Sequence, residues 1–135
     1  QAKIAETNVD NSASSTTDSG NSLTPATTYA CENTTDKIFL LSEKEATTGE
    51  YGFSAYNAAG NATNRIRKPT DYAKANYCST KEDVNSKWGG WWWLRSPYSG
   101  HQYGLRYIEE EGKAVDYDYN IVSYYGILPA LFVTK

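Results

Sequence analysis

Apolar positions are sparse over the first third of the chain and crowd toward its end. Residues 8–28 are almost entirely Asn, Ser, Thr, Asp, Gly, Ala and Pro, and bury too little apolar area to offset the entropy of ordering them. This predicts a disordered linker or stalk over residues 1–28 and a folded domain from 29 to 135, starting near Tyr29. A stalk implies that the domain hangs from something larger: a cell-surface anchor, a phage tail or another domain.

Within the domain, Lys37-Ile38-Phe39-Leu40-Leu41 is an apolar run of strand length. Ser42 follows, with Glu45 three positions on, the capping-box spacing for a short helix over about 43–48. Pro69, then Thr70 or Asp71 as cap, predicts a second short helix through about Tyr77. From Trp91 the period changes to two. Trp92-Trp93-Leu94-Arg95 reads as a buried strand closed by Ser96-Pro97. Residues 103–109 and 114–119 read as a hairpin around Glu110-Glu111-Gly112-Lys113, and 127–133 as a last apolar strand. Two short helices followed by a small antiparallel sheet make an α+β domain.

Composition narrows the function. At 135 residues the chain suits one domain with a proper core. A net charge of -3 and a pI near 5.1 leave no basic stripe to neutralise phosphates, so nucleic acid is not an expected partner. Arg65, Arg67 and Lys68 form the one basic cluster, read as a solvated patch. No apolar run approaches the ~20 residues that span a bilayer. Cys31 and Cys78 are too few for a metal site and are not spaced as a redox pair; they are either buried thiols or a bridge.

Catalytic chemistry is not encoded in a recognisable form. His101 is the only histidine, and no nucleophile and orienting group can be built around it, so it reads as a contact residue. Glu109-Glu110-Glu111 reads as a solvated hairpin tip, because adjacent strand side chains point in different directions. Asp116 and Asp118 share one strand face, as an acid–base pair would, but no aromatic sugar cleft accompanies them. The expectation is a protein that is not an enzyme and needs no cofactor or metal. Trp92 or Trp93 reads as a core wedge with Leu94 beside it, and Arg95 as a structural ion pair or carbonyl contact; these four residues form the expected scaffold.

Seven of the twelve tyrosines (98, 103, 107, 117, 119, 124, 125) fall between the Trp-rich strand and Gly126. Tyr with Ser, Gly and Asn is the composition of an antibody-like contact surface, where rigid amphipathic rings and small adaptable polar groups meet a ligand. The expected contact residues are Tyr98, Ser99, His101, Tyr103, Tyr107, Asp116, Tyr117, Asp118, Tyr119, Asn120, Tyr124 and Tyr125. Tyr98, His101, Tyr103, Tyr117, Tyr119, Tyr124 and Tyr125 are expected on the surface.

Four stretches in order, Asp36 to Glu43, Pro69 to Ala75, Trp92-Trp93-Leu94-Arg95-Ser96-Pro97 and Gly126-Ile127-Leu128-Pro129-Ala130-Leu131, resemble a bacterial domain of unknown function. That domain has the C-type-lectin fold and is related to the formylglycine-generating-enzyme fold. In many gut bacteria and their phages it resembles the variable protein of a diversity-generating retroelement. The likeness covers residues 30–135. It implies that a reverse transcriptase copies a template repeat with errors at adenines, turning Asn codons into codons for Tyr, Asp, His, Ser and others, but never a stop. The variable segment would then be about 98–125. Gln102 and Glu109 to Glu111 cannot arise this way from Asn codons. The family usually closes on Gly-Val-Arg-Pro-Ala-Leu, and here Leu128 stands in place of the Arg. The Glu-Pro-Asn and Trp-Asn-Asp signatures of calcium lectins are absent, as are the active cysteines of the formylglycine enzymes.

The resemblance implies a receptor-like domain at a cell surface, secreted or on a phage virion, not inserted into the membrane. Its partner would be a protein or a cell-surface ligand, glycans included. The alternative is a calcium-independent carbohydrate-binding or adhesin module with a fixed surface, using Trp88 or Trp91 with the tyrosines.

Overall fold

Ser42 and Glu45 start the first helix as their spacing predicts. The Glu45 amide donates to the Ser42 hydroxyl (3.1 Å) and the Ser42 amide to the Glu45 carboxylate (2.8 Å), so two otherwise unpaired amides are satisfied reciprocally. The computed structural model that shows this describes residues 2–12, 31–47, 49–54, 63–80, 89–97, 104–115 and 124–135. Its elements are β1 (Lys3–Ile4), β2 (Thr7–Val9), β3 (Thr34–Asp36), β4 (Phe39–Leu40), α1 (Glu43–Thr47), α2 (Asp71–Ala75), β5 (Trp92–Pro97), β6 (Leu105–Ile108), β7 (Ala114–Val115), β8 (Pro129–Ala130) and β9 (Val133–Thr134). The fold is α+β, with two short helices and small antiparallel sheets among the described residues.

The three-stranded sheet β5-β6-β7 is the centre. Trp92 opposes Ile108 and Trp93 opposes Tyr107, after which a bulge shifts the register so that Pro97 opposes Leu105. At the bulge the Arg95 amide donates to the Leu41 carbonyl (2.9 Å), tying β5 to the end of β4. One sheet face builds the core: Trp92 (2 % exposed), Leu94 and Ile108 pack with Leu41 and Ala46, and Phe39, Phe53, Leu128 and Ala130 close around them. Helix α1 sits on this face through Glu43, Ala46 and Thr47, the i, i+3, i+4 stripe of a short amphipathic helix. Glu43 also meets Arg106 there at 2.9 Å, each side chain 1 % exposed, and its amide donates to Ser96 Oγ (2.8 Å).

Arg95 makes both contacts its position suggested. It pairs through two nitrogens with the Glu45 carboxylate and donates to the Leu40 carbonyl (2.7 Å). The hairpin turn follows a three-residue pattern: the Gly112 amide donates to the Glu109 carbonyl (2.9 Å), and Gly112 lies at φ 79, where a side chain would be strained.

Three expectations are corrected. The first twelve residues are not all linker: β1 pairs with β9 and β2 with β3, and Val9 is buried. Residues 13–30 lie outside the described residues. The single strand expected over 127–133 is two short strands with different partners, β8 on β4 and β9 on β1; Pro129 has no amide hydrogen to extend a ladder. Finally, Arg65 is not part of a solvated patch. It is 1 % exposed, and its guanidinium donates to the carbonyls of Gly112 (2.6 Å), Ala46 (3.5 Å) and Ser54, tying α1, a connection and the hairpin turn together.

Candidate functional site

The sheet face opposite the core carries an aromatic cluster. Trp91, just before β5, and Trp93, two residues on within it, both enter this cluster. Tyr107 joins them from the neighbouring strand and Tyr125 from the segment running beside β5, where Gly126 bridges Trp92 in parallel. Ring centroids lie 4.6 Å apart for Trp93–Tyr125, 4.8 Å for Tyr107–Tyr125, 4.9 Å for Trp91–Tyr125 and 5.8 Å for Trp91–Tyr107. These separations are those of mutually attractive aromatic pairs. Trp91 Nε1 donates to the Glu110 carboxylate, and the Glu110 carbonyl accepts from the Gly89 amide (2.9 Å). Glu110 is therefore a buried anchor, which corrects its reading as part of a solvated tip. Gly89 also lets the backbone at Arg67 come close, since a Cβ there would meet the Arg67 carbonyl oxygen at 2.3 Å.

Of the expected contact residues, Tyr98, Ser99, His101, Tyr103, Asp116, Tyr117, Asp118, Tyr119 and Asn120 lie outside the described residues, as does Trp88. What is described is where their segments attach. Residues 98–103 leave β5 at Pro97 and return at Gly104, just before Leu105, the residue opposite Pro97. Residues 116–123 leave β7 at Val115, opposite Tyr107, and return at Tyr124, next to the ring cluster. Both Tyr-rich connections are therefore hung on the same sheet. Tyr107 is a correction: at 8 % exposure it is a packing residue, because its register opposite Trp93 puts its ring inside the cluster. Tyr125 is half-buried in the same cluster, and Tyr124 is 66 % exposed.

Among the exposed aromatics that escaped the sequence reading, Tyr77 stands beside this cluster. Helix α2 begins as expected, with Thr70 Oγ1 accepting from the Ala73 amide (3.1 Å). It stops at Ala75, and the chain turns back: the Tyr77 amide donates to the Lys74 carbonyl (3.0 Å) and the Cys78 amide to the Ala73 carbonyl (2.9 Å). This is the Schellman pattern, whose left-handed position normally holds glycine. Here it holds Tyr77, at φ 64 and 78 % exposed, with its ring 6.1 Å from that of Tyr124. The Ser79 amide fixes the pairing by donating to the Tyr124 carbonyl (2.6 Å). The sequence signal that could have found it is a Tyr directly after Asn76 at a helix end, with no glycine nearby.

Beside Cys78 lies a cleft of about 230 Å³. Pro69, Ile127 and Leu128 supply apolar wall, Trp91 and Cys78 line it, and Arg67 and Lys68 are its charged residues among those described. Leu128 packs at the same time against the core, so an apolar contact stands where the resemblance has an Arg. Cys31 and Cys78 are both free thiols, the first exposed and the second half-buried. Among the described residues no group of three His, Cys, Asp or Glu could hold a metal ion, and no helix is long and apolar enough to cross a membrane.

Over residues 1–135 the chain matches the family described as Domain of unknown function (DUF6273), and it belongs to that family. No curated protein and no solved structure matches it.

Proposed function

We propose that this DUF6273 domain is a non-enzymatic, receptor-like binding domain of C-type-lectin-like fold. Its contact face is formed by residues 98–103 and 116–124, and retroelement mutagenesis diversifies that face. The observation that carries the reading is the attachment of both Tyr-rich connections to one sheet whose own side chains are already packed on both faces. Such a frame tolerates change in what it displays, as loops on a rigid scaffold do. Tyr98, Ser99, His101, Tyr103, Asp116, Tyr117, Asp118, Tyr119 and Asn120 supply the variable contacts. Tyr124 adds an exposed ring at the edge, and Tyr107 belongs to the frame. Rigid rings with small polar neighbours suit a protein or a glycan-bearing surface, met from a cell surface, a secreted protein or a virion.

The test is genetic. Sequencing beside the gene is expected to find a near-copy of the codons for residues 93–135 and a reverse-transcriptase gene. Sequencing the gene across a population is expected to find changes confined to codons 98–125 and to template adenines. An invariant gene with no template copy overturns the diversification and leaves the fixed-surface carbohydrate-binding alternative standing.

A further inference from the structure

We propose that the cleft beside Cys78 is a binding site for a small organic anion, a carboxylate or phosphate carried on a compact apolar body. This goes beyond the binding face and does not rest on it, because the cleft is built from residues outside the Tyr-rich connections.

Charge sets the sign of the ligand. Arg67 and Lys68 follow each other at the cleft, and among the described residues that line it there is no carboxylate to neutralise them. The Arg67 guanidinium is held by the carbonyls of Asn64 (2.8 Å) and Ile66 (2.9 Å) and lies over the Phe53 ring at 5.6 Å, none of them cleft residues, so Arg67 contributes a fixed positive charge near the cleft and the direct contact falls to Lys68. Lys68 is exposed and free to swing. The walls set the body of the ligand: Pro69, Ile127 and Leu128 offer hydrocarbon, and Ile127 is left largely exposed as though awaiting a cover. Volume sets its size. A cleft of about 230 Å³ holds roughly eight water volumes, which is room for about nine non-hydrogen atoms. Mostly apolar walls with a few convergent polar groups are the ordinary make-up of a ligand pocket.

Cys78 provides the readout, since its thiol lines the cleft while Cys31 is exposed elsewhere. The whole chain is treated with N-ethylmaleimide, a neutral reagent, and modification of each cysteine is followed by peptide mass spectrometry. Benzoate, its neutral isostere benzamide and inorganic phosphate serve as probes. A ligand of this size binding at about 1 mM slows Cys78 modification about tenfold at ~10 mM probe. Benzoate is expected to do this without changing Cys31, whereas benzamide and phosphate leave both rates unchanged. Lys68→Glu, a change at an exposed residue, is expected to remove the benzoate protection while the melting temperature stays put. Three results overturn the proposal: no protection by benzoate, equal protection by benzamide, or equal protection by bare phosphate. Benzoate protection that survives Lys68→Glu undiminished overturns it too. None of these results bears on the face formed by residues 98–124.

Discussion

Tyr77 holds a backbone conformation that costs an L side chain about 1–2 kcal/mol and that glycine adopts freely. Comparing Tyr77→Gly with Tyr77→Ala isolates this cost, since both lose the ring contact with Tyr124. The Gly variant is expected to be the more stable by about 1 kcal/mol in urea unfolding; equal stabilities would show that the left-handed turn is not held. Cys78 gives a second test. Burial pushes its thiol above the ordinary 9.0, against a smaller lowering by a backbone hydrogen bond from Gly126. The folded chain therefore keeps this proton to higher pH than the unfolded chain. The associated stability is complete below pH 9.0 and is lost as the pH rises through the folded value. Because the thiolate is the nucleophile, maleimide at neutral pH is expected to modify Cys78 several-fold more slowly than the exposed Cys31. Equal rates at the two cysteines would contradict the burial. Roles at this scale were the least legible in the sequence. Arg65 and Glu110 look like any surface charges next to Arg67 and Glu111, and only distant partners, Gly112 and Trp91, bury them.

The elements with local signals were readable. Ser42 with Glu45 marks α1 and Thr70 marks α2, because a cap acts over three residues and its chemistry is written in them. Removing the first cap by Ser42→Ala is expected to cost about 1 kcal/mol. Helix α1 also brings a carboxylate into the core against Arg106. Arg106→Met leaves that carboxylate buried and is expected to cost about 3–5 kcal/mol, whereas Glu43→Leu added to it recovers most of the loss, because paired apolar replacements remove both desolvated charges. A double variant no more stable than the single one would show that hydrogen bonds, and not charge burial, hold the helix there. The strands at the chain ends were not readable. Two- or three-residue strands such as β1 and β9 carry no periodicity of their own and exist only through a partner more than a hundred residues away.

On the scale of the whole molecule, the two chain ends close on each other. Lys3 opposes Thr134 and Ile4 opposes Val133, and Arg95 Nη2 reaches the Asp10 carbonyl (3.3 Å). Deleting residues 1–12 removes two strands and the buried Val9. The deletion is expected to lower the melting temperature by several degrees, given about 2–3 kcal/mol for a buried valine and its strand; an unchanged melt would return this segment to the linker. The α+β class and the Trp-rich centre were legible because period-two apolar runs and aromatic wedges signal a packed sheet wherever they occur. Which tyrosine faces out was not legible, because alternation fixes only relative direction: Tyr107 went to the frame and Tyr124 to the surface. In the proposed function the frame stands without its tyrosine-rich connections. The most direct test is the thermal melt of one variant in which Tyr98, His101, Tyr103, Tyr117 and Tyr119 are all replaced by Ser. Exposed contacts change stability by about 0.5 kcal/mol or less each, in either direction, so five of them largely offset one another and the midpoint is predicted to stay within a few degrees of the parent, while Trp93→Ala, at about 3–5 kcal/mol, lowers it far more. A quintuple variant that melts as low as Trp93→Ala, or without cooperativity, would make those tyrosines core and contradict the account.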